Sequence, residues 1–389
     1  MSAMLERIKD PGSYQAFQHF VTHAPWAPER VWRRLRTVIP VRTGVLILDG
    51  TSFPKQGTHS VGVARQYCGT LGKVANCQVA VTAALWNGVR AWVLGALLYL
   101  PETWLTAEAR VRAHIPTAVR FQEKWRQALT LVRQIRASGF QLTAVVGDAE
   151  FGDNATLRRA LHRWTLPYAL GISSTLTVFP GTPRVGVPPR KPGRGSAPTR
   201  LQLVDDTRPQ AVSAVAARLP PRAWRVVSWR NGTNRPWRAR FAALRVMPAQ
   251  DWRRHRLAPE VWLLCERGLG ATARTKYYFV ALPATASLNA LVRLAHHRWA
   301  IEQQYQELKD ELGLDHFEGR TYLGWHRHVV LTAIAYAWLQ QERERTGVRA
   351  PTLPVVRAVI QEVLTAHFFI TRRGYLELML KLKEIQLLI

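Results

Sequence analysis

The chain has 389 residues, 47% of them apolar, which excludes a disordered polymer and leaves room for two or three domains with a sizeable core. Its 54 Lys+Arg against 26 Asp+Glu give a formal net charge of +28, a field that recruits polyanions: nucleic acid first, an acidic membrane surface second. Three scattered cysteines without C-x-x-C spacing argue against a disulfide framework or structural zinc, and the charged start MSAMLERIKD has no apolar leader, so a cytoplasmic, nucleoid-associated protein is expected.

Residues 1–42 read as an N-terminal helical region with two amphipathic pieces, SYQAFQHFVTHAPW and PERVWRRLRTVI. In VRTGVLILDGTSFPKQG (41–57), the Val45–Leu48 run predicts a strand covered on both faces. It ends on Asp49, ahead of a chain broken by Gly and Pro. A polar loop is expected over 50–76, carrying Lys55, His59, Arg65 and Lys73. CQVAVTAALWN and RAWVLGALLYL then read as a hairpin joined at Gly88 and Val89. The periodicity of 117–138 predicts a helix, stopped by Gly139.

LTAVVGD (142–148) is a second apolar strand that ends on an acid, Asp148. A helix over 154–163, with Asp153 as its N-cap, and a strand PYALGIS follow. The order strand, strand, strand, helix, strand, helix, strand is that of an RNase H-like mixed α/β sheet with flanking helices. Residues 181–200 hold five basic residues, no acid and many Pro and Gly, so they read as a basic linker. From 201 to 282 short strand-like pieces form a β-rich insertion, and helix returns over 286–312, closed by Gly313. The expected division is a helical region 1–42, catalytic core 43–173, linker and insertion 174–285, final core helices 286–345 and a helical C-terminal region 346–389.

Either aspartate alone is most simply a turn or capping residue. In an RNase H-like sheet, however, the two strands that carry them are neighbours, and paired carboxylates repel unless a cation lies between them. Hard oxygen ligands in that position suit two Mg²⁺ (or Mn²⁺) ions, the arrangement used in phosphoryl transfer. A third acid should come from a helix beside the strand ends. Arg298, Glu302 and Lys309 fall on one stripe of a continuous helix, which makes Glu302 the candidate and the two cations candidate phosphate contacts. The plain alternative is a surface i,i+4 ion pair worth about 0.3–0.5 kcal/mol.

The stretches LDGTSFPKQGTHSVGVARQYCGTLGKVANCQVAV, GDAEFG and RWAIEQQYQELKDELGLDHFEGR resemble the DDE transposases of bacterial insertion sequences. That resemblance implies an RNase H-like core with a β-rich insertion domain, and it places Asp49, Asp148 and Glu302 on the family's metal-binding acids. Arg298 and Lys309 match the cations of its Y-R-E-K signature, whereas the signature tyrosine falls on Ala295. In such enzymes the tyrosine grips the transposon end, so its replacement touches the DNA contacts.

Trp229 and Trp237, with Arg238, flank the turn NGTN. Aromatics among arginines can stack an unpaired base, as the resemblance implies for the insertion domain; packing of a small sheet is the alternative. Lys55, Arg65 and Lys73, and beyond them His296, His297, His326 and Arg327, are further candidate DNA contacts. The resulting expectation is a cut-and-paste transposase, a Mg²⁺-dependent endonuclease and strand transferase acting on double-stranded DNA as a homodimer. The alternatives are an RNase H-like nuclease that does not join strands and an inactive DNA-binding relative.

Overall fold

The computed structural model of the protein describes residues 14–188, 199–204, 207–231, 236–250, 252, 255–270, 273–345, 352–371, 374 and 377. Half of the basic linker, 189–198, and residues 232–234 of the NGTN turn lie outside these residues. At the N-terminal end, α1 (Tyr14–Thr22) and α2 (Pro28–Val38) fall within the two amphipathic pieces. Proline suits the first position of α2, where no N–H is needed, and the helix turns Trp32 and Leu35 inward.

Four strands follow: β1 (Thr43–Pro54), β2 (Ala64–Cys68), β3 (Lys73–Trp86) and β4 (Ala91–Tyr99). β1 pairs antiparallel with β3, and β3 pairs antiparallel with both β2 and β4. Between β3 and β4 the chain turns at Gly88, with φ of 99°, and the Asn87 side chain accepts from the N–H groups of Val89 and Arg90. The polar loop expected over 50–76 is about half strand instead. β3 pairs with β1 through Asp49 (opposite Thr82) as far as Pro54 (opposite Cys77), so the strand does not stop at the acid.

α3 (Ala107–Ala113) and α4 (Lys124–Ala137) cross to β5 (Gln141–Gly147), which is parallel to β1. The helix expected from 117 starts only at Lys124, because the Arg110 guanidinium takes the carbonyls of Pro116 and Val119 and holds that stretch in a turn. Its end is as expected: Gly139 has φ of 83°, the left-handed conformation that glycine adopts freely. The single turn α5 (Ala149–Gly152) and α6 (Ala155–Arg163) lead to β6 (Tyr168–Ile172), parallel to β5. α6 is capped by Asn154, whose side chain accepts from Leu157 N–H; Asp153 instead accepts from Ser173 N–H at 2.8 Å. Antiparallel β1, β3 and β4, with short β2 beside β3, extended by parallel β5 and β6, make the RNase H-like sheet.

The remaining strands are β7 (Thr177–Phe179), β8 (Val185–Gly186), β9 (Gln202–Leu203), β10 (Gln210–Ala211), β11 (Arg225–Asn231), β12 (Pro236–Pro248), β13 (Val261–Arg267) and β14 (Thr275–Ala281), with α7 (Val212–Ala217) among them. Only β8 and β9 stand apart, as a small pair. β14 pairs antiparallel with β6, so β12, β13 and β14 continue the core sheet, which reaches 12 strands. The helix expected over 286–312 is broken into α8 (Leu288–His296), α9 (Trp299–Gln306) and a π turn over Glu307–Glu311. α10 (Tyr322–Arg345) and α11 (Leu353–Thr371) follow. Among the described residues no helix is long and apolar enough to cross a membrane.

Candidate active site

Side chains alternate along β1. Leu46 and Leu48 join the core on the side of α4 and α6, with Val132 and Leu157. Val45 and Ile47 pack on the other side with Leu291, Ala295 and Ile301 of α8 and α9. Asp49 is the next residue on that second side, which turns its carboxylate toward α9. Here β1 loses one neighbour: its parallel pairing with β5 ends at Ile47 opposite Val146. β5 then bends away into α5, and Asp148 sits at that bend.

Asp148 caps α5, its Oδ1 accepting from Glu150 N–H at 3.0 Å. The turn is pressed onto β6: a Cβ on Gly152 would overlap the Gly171 carbonyl, so GDAEFG needs glycine at its end. Glu302 lies on α9, and Arg298 begins that helix. Arg298 Nη1 donates to Asp49 Oδ1 and its Nη2 to Glu302 Oε1, each at 3.0 Å. Exposure grades across the group: the Asp49 side chain is 9% exposed, Arg298 33% and Glu302 65%.

The electrostatics follow from this packing. Burial pushes the Asp49 carboxyl up from 3.8 to about 7; Arg298 opposes that shift, while Asp148 and Glu302 add to it. Burial pulls the Arg298 guanidinium down, yet the charges of Asp49, Glu302 and Asp148 outweigh it and leave the group above its ordinary value. Three acids and one arginine therefore share one electrostatic centre. Among the described residues, no group of three or more His, Cys, Asp and Glu side chains is arranged to hold a metal ion as it stands. The guanidinium of Arg298 lies between two of the acids.

Other neighbours of the centre had no role read for them in the sequence. Tyr305, one turn beyond Glu302, hydrogen-bonds through its hydroxyl to Thr82 Oγ1, directly across the ladder from Asp49. Only its i+3 spacing from Glu302 could have signalled it. Glu150 pairs with Lys124 at 2.6 Å beside Gly50. Glu266 accepts from the Tyr278 hydroxyl at 2.7 Å and faces His296 at 3.4 Å, tying the end of α8 to β13 and β14.

The expected DNA contacts divide. Arg65, Lys73 and Arg238 are exposed. Lys55 is turned inward: its side chain is 6% exposed, and its ammonium donates to the carbonyls of Asp315 and Phe317 and pairs with Glu318, so it ties the loop after the π turn to the end of β1. Lys309 is also turned inward, donating to Ser52 O and Thr70 Oγ1 at 3.1 Å each. The π turn shifts its phase, so it leaves the stripe it would share with Arg298 and Glu302 on a continuous helix. Trp237 is 58% exposed, but Trp229 is half-buried and stacks on His296 with ring centroids 4.0 Å apart. His326 and Arg327 are buried, and Arg327 donates to the carbonyls of Val21, Ala24 and Trp26. Ala295 is a buried core residue.

An RNase H-like sheet with acids where the pairing of two parallel neighbours ends is a nuclease-like architecture. This chain belongs to the DDE superfamily endonucleases, whose family profile matches residues 1–236. It is 28% identical over 175 residues to a protein of Microchaete diplosiphon described as a probable transposase for insertion sequence element IS701. That match covers 44% of this chain and 43% of the relative, so less than half of the relative's length is represented. A cryo-EM structure of piggyBac transposase in a synaptic complex with hairpin DNA aligns over 92% of this chain and 60% of that one, with a TM-score of 0.41 and 9% identity, a likeness too slight to carry an argument.

Proposed function

We propose that the protein is a DNA transposase that cuts insertion-sequence ends and joins them to target DNA in a reaction dependent on Mg²⁺ or Mn²⁺, with Asp49, Asp148 and Glu302 as the metal-holding acids. The observation that carries this reading is the convergence of three acids from β1, the end of β5 and α9 on one centre, where Asp49 feels both of the others. Membership of the DDE superfamily and the similarity to an insertion-sequence transposase support DNA as the substrate. The net charge of +28 supports the same class of partner.

The residues present fit the ions. Carboxylates are the hard oxygen donors that Mg²⁺ and Mn²⁺ prefer; burial, and after it the charges of Asp148 and Glu302, raise the Asp49 carboxyl, and a cation bound there would favour its ionised form. Bound there, two divalent ions would supply Lewis acidity for an attacking hydroxyl and for the leaving oxygen of the phosphodiester. The chain's own share is positioning. β1 keeps Asp49 out of bulk water, the cap of α5 fixes Asp148, and α9 brings Glu302 to the rim. Exposed Arg65, Lys73 and Arg238 would neutralise phosphates around it. No protein nucleophile is required. Two DNA ends handled together call for two copies of the chain, so a homodimer on DNA is part of the proposal.

The test is purified protein, a supercoiled plasmid carrying the element's ends, and Mg²⁺. Nicked, linear and joined products that vanish with a chelator and in Asp49→Asn are expected. Cleavage without joining would assign the protein instead to nucleases of the same fold. DNA binding without cleavage in Mg²⁺ or Mn²⁺ would make it an inactive relative.

A further inference from the structure

We propose that Arg298 is the acid centre's own counter-cation, surrendered to a DNA phosphate, so that loading of divalent ions is coupled to DNA binding. This rests on the reading of Asp49, Asp148 and Glu302 as metal-holding acids and adds an order of events to it.

The geometry is specific. One guanidinium spans Asp49 Oδ1 and Glu302 Oε1, each at 3.0 Å, so a single side chain occupies an oxygen of both carboxylates. A divalent ion drawing on those two acids would meet a fixed positive charge in contact with the oxygens it needs. Arg298 must therefore move, or its charge must be answered from outside. A mobile Arg298 is consistent with its place in the fold. It lies at the break between α8 and α9 rather than inside a helix, and 33% of its side chain faces solvent. Among the described residues its guanidinium donates only to these two carboxylates, and no backbone carbonyl pins it. Buried arginines elsewhere are pinned: Arg36 donates to Leu94 O, and Arg327 to three carbonyls.

A phosphodiester is the natural ligand for a planar fork that leaves a carboxylate, because it offers the same two-oxygen geometry. Its arrival at the rim would draw the guanidinium outward and leave the acids with one positive charge fewer, a deficit that the divalent ion fills. By thermodynamic reciprocity, DNA should then strengthen ion binding by the same factor by which the ion strengthens DNA binding.

The test is Mn²⁺ binding, read from the electron paramagnetic resonance signal of the free ion, with and without a short duplex and corrected for duplex alone. Wild type should bind Mn²⁺ weakly by itself and about tenfold or more tightly with duplex. Arg298→Gln should bind Mn²⁺ about tenfold more tightly than wild type without DNA, and duplex should add little. Arg298→Lys, which keeps the charge but cannot span both acids, should fall between them, and matched thermal melts would establish that both variants are folded. If folded Arg298→Gln binds Mn²⁺ no better than wild type while Asp49→Asn abolishes the duplex-dependent binding, the counter-cation role is overturned and the acid centre stands. If Asp49→Asn binds Mn²⁺ on duplex as wild type does, the metal-holding reading itself fails.

Discussion

The two halves of the acid centre are built differently. Asp49 and Asp148 come from adjacent parallel strands, one enclosed within β1 and the other locked as the cap of a turn pressed against β6. Glu302, Arg298 and Lys309 come from a helical segment broken twice, at residues 297–298 and at the π turn after Gln306. The sheet half has no freedom to rearrange without breaking the ladder. The helix half is held by side chains instead: Tyr305 bonds to Thr82, Lys309 to Ser52 O, and β11 supports it from outside through Trp229 stacked on His296 and Arg230 set 3.6 Å over the Trp299 ring. Two acids set by the sheet and a third exposed at the rim divide the centre into an enclosed side and an open one.

Substitutions should separate the halves by the size of the loss. Asp49→Asn and Asp148→Asn should each lower Mg²⁺-dependent nicking by about a thousandfold or more, since each removes a ligand whose position nothing else can supply. Glu302→Gln should lose less, about ten- to a hundredfold, because an acid 65% exposed at the rim can be replaced in part by water. Equal losses in a plasmid-nicking assay would erase the distinction.

Acid–base behaviour sharpens it further. With the Asp49 carboxyl at about 7 in the fold against an ordinary 3.8, the native protein holds a proton that the unfolded chain releases between those values. Its contribution to stability is therefore full below about pH 3.8 and is lost as pH rises through about 7, a change of about 4 kcal/mol at most. Metal-free Asp49→Asn should be the more stable protein at pH 8, with the gap closing toward pH 4. Denaturant melts at the two pH values check this, and a gap independent of pH would contradict it.

Lys309 tests the helix half away from the acids. Lys309→Met removes one of two donors to Ser52 O, which still accepts from the Thr70 hydroxyl at 2.9 Å, and the ammonium donor to Thr70 Oγ1, and should destabilise the protein by about 1 kcal/mol in thermal melts. The salt dependence of DNA binding should stay as it was, whereas Arg65→Ala or Lys73→Ala should each flatten the slope by about 0.9. A flattened slope for Lys309→Met would return that residue to the phosphate contacts. The smallest contrast lies in the insertion: Trp229→Ala should cost about 1–3 kcal/mol by removing the stack on His296, and exposed Trp237→Ala less than about 0.5 kcal/mol. Equal costs would remove Trp229 from the support of α8.

The sheet half was legible in the sequence because strands announce themselves through apolar runs. Val45–Leu48 and Leu142–Gly147 each deliver an aspartate where the run ends, and the strand order makes them neighbours. The helix half was legible only in part. Arg298 and Glu302 are four residues apart and do meet, since that spacing holds locally. Lys309 lies beyond the π turn, and no periodicity in the sequence reports a change of winding. The inward turn of Lys55 was not legible, because it depends on carbonyls more than 250 residues away, at Asp315 and Phe317. Exposed strand residues such as Lys73 gave a loop-like composition to a segment that β1 and β3 hold in the sheet.

The most direct measurement is a structure of the protein bound to DNA in the presence of Mn²⁺, with the ions located by their anomalous signal. Ions within about 2.0–2.6 Å of oxygens of Asp49, Asp148 and Glu302, with Arg298 moved onto a phosphate, are expected. Ions bound elsewhere on a DNA-loaded protein, with these carboxylates empty, would contradict the account.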